Sequence, residues 1–193
     1  MRNASRTFVL LAAVTASGAL PLLAVSTAQA ASVIQTCDGK HTTALKPSLT
    51  NTAEPVTGTS TYELGDAANL LGFIGGYDCQ SSDNNKTADE YTGATATVDF
   101  TATASCSNLA NGKVTGGSIT WDDGDISTLG VGTTPVEDIG NADGIVEYTA
   151  PIVKGPFAGE TLTIQNQGST NTPDNCATTG VAKLQGSTSI EIK

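Results

Sequence analysis

The sequence predicts an all-β protein: a single antiparallel β-sandwich of immunoglobulin-like architecture, preceded by an N-terminal signal peptide. Three observations predict it. Residues 31–193 contain 27 threonines, and a β-branched side chain suits a strand better than a helix. Several runs alternate apolar and polar residues with period two, as a half-buried strand does. Turn dipeptides interrupt these runs at short intervals, at Asn111-Gly112, Asp123-Gly124, Asp143-Gly144 and Gly155-Pro156. Many short strands punctuated in this way build a sandwich or a barrel.

Residues 1–30 are expected to be a secretory leader. Arg2 and Arg6 precede an apolar run from Phe8 to Val25, which ends in small residues at Ala28 and Ala30. Residues 31–193 then form one secreted domain, long enough to bury a core. Its first strand candidate is "SVIQTC". The next stretch, "DGKHTT", reads as a loop carrying His41 at the surface. "PVTGTSTYEL" at 55–64 is a second, weaker strand. "DAANLLGFIGG" at 66–76 fits a short helical turn or an apolar strand, and 80–90 is a polar connection; the structure of 64–90 is left open.

The clearest strand is 94–105. Ala94, Ala96, Val98, Phe100, Ala102 and Ala104 share one face, and Thr95, Thr97, Asp99, Thr101 and Thr103 the other. Ile119 and Trp121 share a face in "GGSITW", so Trp121 is expected in the core. The hairpin turn follows at Asp122, Asp123, Gly124 and Asp125, with Asp123-Gly124 as the central pair of a type I′ turn and the flanking aspartates as solvated shoulders. Val146, Tyr148, Ala150 and Ile152 alternate next, with Pro151 marking an edge or a strand end. Leu162 and Ile164 follow, and Thr188, Ile190 and Ile192 close the chain.

Cys37, Cys79, Cys106 and Cys176 are an even set in an exported chain, which reads as two disulfides. Zinc sites need closer pairs. Three pairings are possible. Cys37–Cys79 with Cys106–Cys176 is favoured, because Cys106 continues the inward face of 94–105 and Cys176 precedes strands that must return to that core.

Charge excludes some partners. Residues 31–193 carry seven lysines, nineteen acids and no arginine, a net charge of −12. Nucleic acid needs a basic footprint that is missing here, and no segment after the leader is apolar enough to insert in a membrane. Catalysis is not expected. His41 is the one histidine, no G-x-S-x-G accompanies it, and no cofactor motif is present. Fragments of calcium-ligating pattern occur at Asp122–Asp125, at Asn141, Asp143 and Gly144, and at Asp83, Asn85, Asp89 and Glu90, each incomplete. A sugar platform would have to use Tyr62, Tyr77, Tyr91 and Trp121.

"GSITWDDGDIST", "GPFAGE" and "NCATTGVAKLQGSTSIEI" together resemble a group of small secreted proteins of actinobacterial type. The resemblance covers residues 90–193 well and 31–90 loosely, and 63–90 departs from it. It implies a β-sandwich and an extracellular location, and it assigns no residue a role. The expected function is that of a non-catalytic secreted or cell-envelope protein acting by surface interaction, with an extracellular protein or a cell-wall polymer as partner. The alternatives are a carbohydrate- or polymer-binding module and a calcium-dependent adhesion module.

Overall fold

The computed structural model describes residues 32–68, 77–82, 91–107, 112–132, 137–138, 145–169 and 173–193. The leader expected at 1–30 lies outside these residues, as do most of 66–76 and 80–90 and all of 139–144. The fragments at Asp83–Glu90 and Asn141–Gly144 are therefore outside them too.

The regular elements among the described residues are strands, apart from a 3-10 turn at Asp66–Ala68 and one helical turn, α1 (Pro173–Cys176). The strands are β1 (Gln35–Leu49), β2 (Glu54–Gly65), β3 (Cys79–Ser81), β4 (Gly93–Ala104), β5 (Lys113–Trp121), β6 (Ile126–Leu129), β7 (Glu137–Asp138), β8 (Ile145–Lys154), β9 (Thr161–Ser169) and β10 (Val181–Ile192). All pairings are antiparallel, in the order β10-β9-β8-β6-β5-β4-β2-β1. The facing layers of the sandwich share one core and belong to one sheet. β1 also pairs with β10, from Gln35↔Ile192 to Ala44↔Lys183, so the sheet closes on itself. β3 lies on β1 beside Cys37, and β7 lies on β8.

Period-two alternation sets what faces inward. In β4 it is the apolar set read from the sequence, and in β8, β9 and β10 likewise. β1 is different: its inward positions are Gln35, Cys37, Gly39, His41, Thr43 and Leu45. Register slips mark three seams of the ring, between Asp99 and Phe100 in β4, between Thr128 and Leu129 in β6, and between Ala44 and Leu49 in β1. Such bulges bend strands and raise local twist, which closure needs.

Two apolar clusters fill the interior. The larger holds Trp121, buried as its parity predicts, with its ring centroid 4.7 Å from Tyr91 and 5.2 Å from Phe157. Its indole N–H donates to Ser127 Oγ at 2.9 Å, and Ser127 donates to the Pro156 carbonyl at 2.7 Å. The smaller cluster lies at the opposite end of the strands, around Leu45, Leu49, Val56, Val181 and Leu184. Disulfides join Cys37 to Cys79 and Cys106 to Cys176. The second ties the segment after β4 to α1 and packs into the smaller cluster.

Candidate binding cavity

The aspartates of the β5–β6 connection are each committed to a different partner. Gly124 N–H donates to the Trp121 carbonyl, and Trp121 N–H to the Asp125 carbonyl, both at 2.9 Å. Gly124 has φ +94°, while no aspartate in the turn has positive φ. The loop is thus a three-residue hairpin with a left-handed glycine in third place, rather than a two-residue type I′ turn. Asp122 is more than a solvated shoulder. Its carboxylate accepts from Thr92 N–H at 3.0 Å and from Thr92 Oγ1 at 2.7 Å. Partial burial opposes ionisation of Asp122, and these bonds, with help from backbone N–H groups of the turn, outweigh it and hold the carboxyl below its usual range. Asp123 Oδ1 accepts from Asp125 N–H, and Asp125 Oδ2 from the Tyr91 hydroxyl. Among the described residues no three His, Cys, Asp or Glu side chains gather as a metal site would require.

The other end of the ring holds a partly open cavity. Leu45, Val56, Phe100, Ala102, Ala104 and Leu184 form its apolar wall, and His41, Thr43, Ser60, Tyr148 and Asn166 its polar floor. All are inward residues of β1, β2, β4, β8, β9 and β10. An eight-stranded ring is just wide enough for side chains to fill or for one small ligand to occupy. Here glycines keep part of it unfilled. Gly58 faces Phe100 across the β2–β4 pair, and a Cβ at Gly58 would lie 2.2 Å from the Phe100 ring. The missing methyl lets that ring lie against β2. Gly168 borders the cavity, and a Cβ there would meet only His41 Nε2, at 4.0 Å. The cavity volume is ≈ 70 Å³, enough for several waters at about 10–15 Å³ each or for one very small molecule.

The floor is a connected network. Thr43 and Ser60 hydroxyls meet at 2.7 Å across β1 and β2. Asn166 Nδ2 donates to the Tyr62 and Tyr148 hydroxyls, both at 3.1 Å, and Asn166 Oδ1 accepts from Thr188 Oγ1 at 2.7 Å. Asn166 is on β9 and Tyr62 on β2, so this bond crosses the interior between strands that do not pair. Burial pushes the Tyr62 phenol up to about 12, against the opposing effect of hydrogen bonds to Asn166 and Ser60. His41 is 5 % exposed, not the surface loop residue expected from "DGKHTT". Its Nδ1 lies 3.2 Å from the Ser187 carbonyl. A carbonyl only accepts, so Nδ1 carries the proton in the neutral ring. Burial lowers the His41 pKa, and the bond to Ser187 only partly opposes this.

The cavity unites residues that the sequence pattern did not single out as a site. Their signal was inward parity combined with polarity, as in His41 and Thr43 of β1. Of the aromatic residues considered for a sugar platform, Tyr62, Tyr91 and Trp121 are all buried, and Tyr77 is half-buried. No protein-family model, curated protein or solved structure matches this chain.

Proposed function

We propose that this chain is a secreted, non-catalytic binding protein that holds a small neutral molecule inside its barrel. The observation that carries the reading is the partly open apolar cavity with a floor of buried polar groups. Small-molecule sites have this composition: mostly apolar walls with a few placed hydrogen-bonding groups. Among the described residues, none that lines the cavity bears a formal charge while His41 is neutral, and burying an ion there would be costly. Secretion is supported by the leader-like residues 1–30 and by two disulfides, which persist in oxidising compartments. No helix among the described residues is long and apolar enough to cross a membrane.

A second reading keeps the interaction on the outer surface, with an extracellular protein or cell-wall polymer as partner. It is favoured by a polar groove of ≈ 500 Å³ over β10, β1, β2 and β4. Thr42, Thr61, Thr95, Thr97 and Gln185 line it beside the Lys40–Glu63 ion pair at 2.8 Å.

Xenon, a neutral apolar probe small enough for a cavity of ≈ 70 Å³, separates the two readings. Interior binding gives a saturable one-to-one ¹²⁹Xe shift and a melting point that rises with xenon pressure. Gly168→Leu, which projects into the cavity from open space, abolishes it without loss of cooperative melting. Equal binding by that variant would place the probe outside and favour the groove.

A further inference from the structure

Cys37 and Cys79 face each other across the β1–β3 pair and are joined there by a disulfide. Asp38 N–H donates to the Asp78 carbonyl and Ser82 N–H to the Ile34 carbonyl, both at 3.0 Å. Hydrogen-bonded and open pairs alternate along an antiparallel ladder, so Cys37 and Cys79 occupy an open pair. Their Cα atoms are 4.0 Å apart. That is less than the roughly 4.5 Å of an open pair and less than the usual disulfide span of roughly 4.4–6.8 Å. The bridge holds the two strands closer than their ladder would. Cys106 and Cys176, with Cα atoms 6.2 Å apart, lie inside that span. A buried amide stands beside the tighter bridge. Gln35 is fully buried, and its Nε2 donates to the Tyr91 carbonyl at 3.1 Å and points at Cys37 Sγ at 3.8 Å. Its Oε1 is the one buried side-chain nitrogen or oxygen without a hydrogen-bond partner among the described residues. Such a group costs stability, so stability does not account for Gln35. What the amide adds is an N–H beside a sulfur, and a donor there favours the thiolate. Cys106 Sγ meets the opposite, the Leu49 carbonyl oxygen at 3.4 Å.

We propose that Cys37–Cys79 is a redox-active bridge, which a dithiol reductant opens while Cys106–Cys176 stays closed. Cys79 is half-buried and Cys37 fully buried, so the incoming thiolate attacks Cys79 Sγ. A mixed disulfide forms there, the Cys37–Cys79 bond breaks, and its electron pair leaves on Cys37 Sγ, where Gln35 Nε2 stabilises the charge. The second thiolate of the reductant then attacks its own sulfur in the mixed disulfide and frees Cys79. Two electrons pass to the protein, the dithiol becomes a disulfide, and its two protons end on Cys37 and Cys79. Among the described residues β3 pairs with β1 alone, so opening the bridge lets Cys79–Ser81 leave β1. The β1–β10 seam uses the other edge of β1, so the ring stays closed. What is left bare is the edge of β1 at Gln35–Cys37.

The test is stepwise reduction of the folded, oxidised protein with dithiothreitol, with free thiols trapped by N-ethylmaleimide and located by peptide mass spectrometry. Cys37 and Cys79 should be labelled together, roughly tenfold or more ahead of Cys106 and Cys176. Gln35→Met keeps the approximate size of the side chain and removes its N–H. It should slow opening of Cys37–Cys79 roughly tenfold, the worth of one hydrogen bond to a charged group, and leave Cys106–Cys176 unchanged. The wild-type order of opening decides the proposal even where that variant melts early. In the half-reduced protein, amide exchange should quicken at Asp38 and Ser82, whose N–H groups bond across the β1–β3 pair, and stay slow in β10. Opening of Cys106–Cys176 first, opening of both bridges together, a folded Gln35→Met that reduces at the wild-type rate, or loss of protection in β10 would overturn the proposal.

Discussion

Asn166→Leu tests whether the interior is one connected network. The substitution keeps the approximate volume of the side chain and removes three hydrogen bonds, to Tyr62, Tyr148 and Thr188. If all three hydroxyls were stranded, the cost at about 1–3 kcal/mol each would approach roughly 6 kcal/mol. The surroundings prevent that. Thr188 Oγ1 still reaches the Gln165 carbonyl at 3.1 Å, and Tyr62 keeps Ser60. Tyr148 faces the cavity, where water can replace the amide. Leucine also removes a buried polar group and returns some apolar burial. The expected net loss is about 2 kcal/mol. Urea unfolding measures it, with an unchanged m-value as the sign that the fold is retained. The Tyr62 phenol should move further above its ordinary range, because a bond that lowers it is gone. A double-mutant cycle with Tyr62→Phe should be non-additive. An unchanged or raised stability would show that the network contributes nothing. A loss beyond about 5 kcal/mol would show that water does not reach Tyr148, and so that the cavity is dry and shut.

Four other outcomes follow from the geometry. Trp121→Ala should cost about 3–5 kcal/mol, read by chemical denaturation, because its ring packs between Tyr91 and Phe157 with almost no exposure. Acidification should lower the melting temperature in two steps. The folded state disfavours protonation of His41 and of Asp122, so stability falls first as the pH drops below about 6.5 and again below about 3.8, and His41→Gln should erase only the first step. Gly124→Val should destabilise by about 1–2 kcal/mol and Gly124→Asn by less, since the position has room for a side chain but demands φ +94°. Replacing Cys106 and Cys176 by serine should cost up to about 4 kcal/mol in the loop-closure estimate, with their 70-residue separation, and should loosen that end of the ring, seen as faster amide hydrogen exchange around Leu45, Leu49 and Leu184.

Strand parity was legible wherever the inward face is apolar. The run 94–105 and the pair Ile119 and Trp121 can be assigned from the sequence because every second residue avoids water. β1 could not be read this way. Its inward positions include Gln35, Gly39, His41 and Thr43, which in a linear pattern look like a loop. Two of these inward polar residues, His41 and Thr43, belong to the cavity floor, so the candidate site was least visible where it matters most. The Asp-Gly signal located the β5–β6 hairpin, but the turn type depends on where the ladder resumes, and Asp125 pairs with Trp121 one residue later than a two-residue loop allows. Closure of the sheet was beyond reach, because it depends on the register between residues near 40 and near 187.

That seam between β1 and β10 governs how the chain must fold. The other neighbouring strands of the ring are joined over shorter stretches of chain, whereas Cys37 and its partner Ile190 lie far apart along it. Bringing them together is a long-range closure, and such contacts slow folding because the chain must lose its freedom before they form. Until β10 is in place, β1 and β9 each present a bare edge, the kind of surface that templates association between chains. Aggregation risk is therefore concentrated in the interval before the last twelve-residue strand docks, and truncations of the C-terminus should be far more harmful than their length suggests.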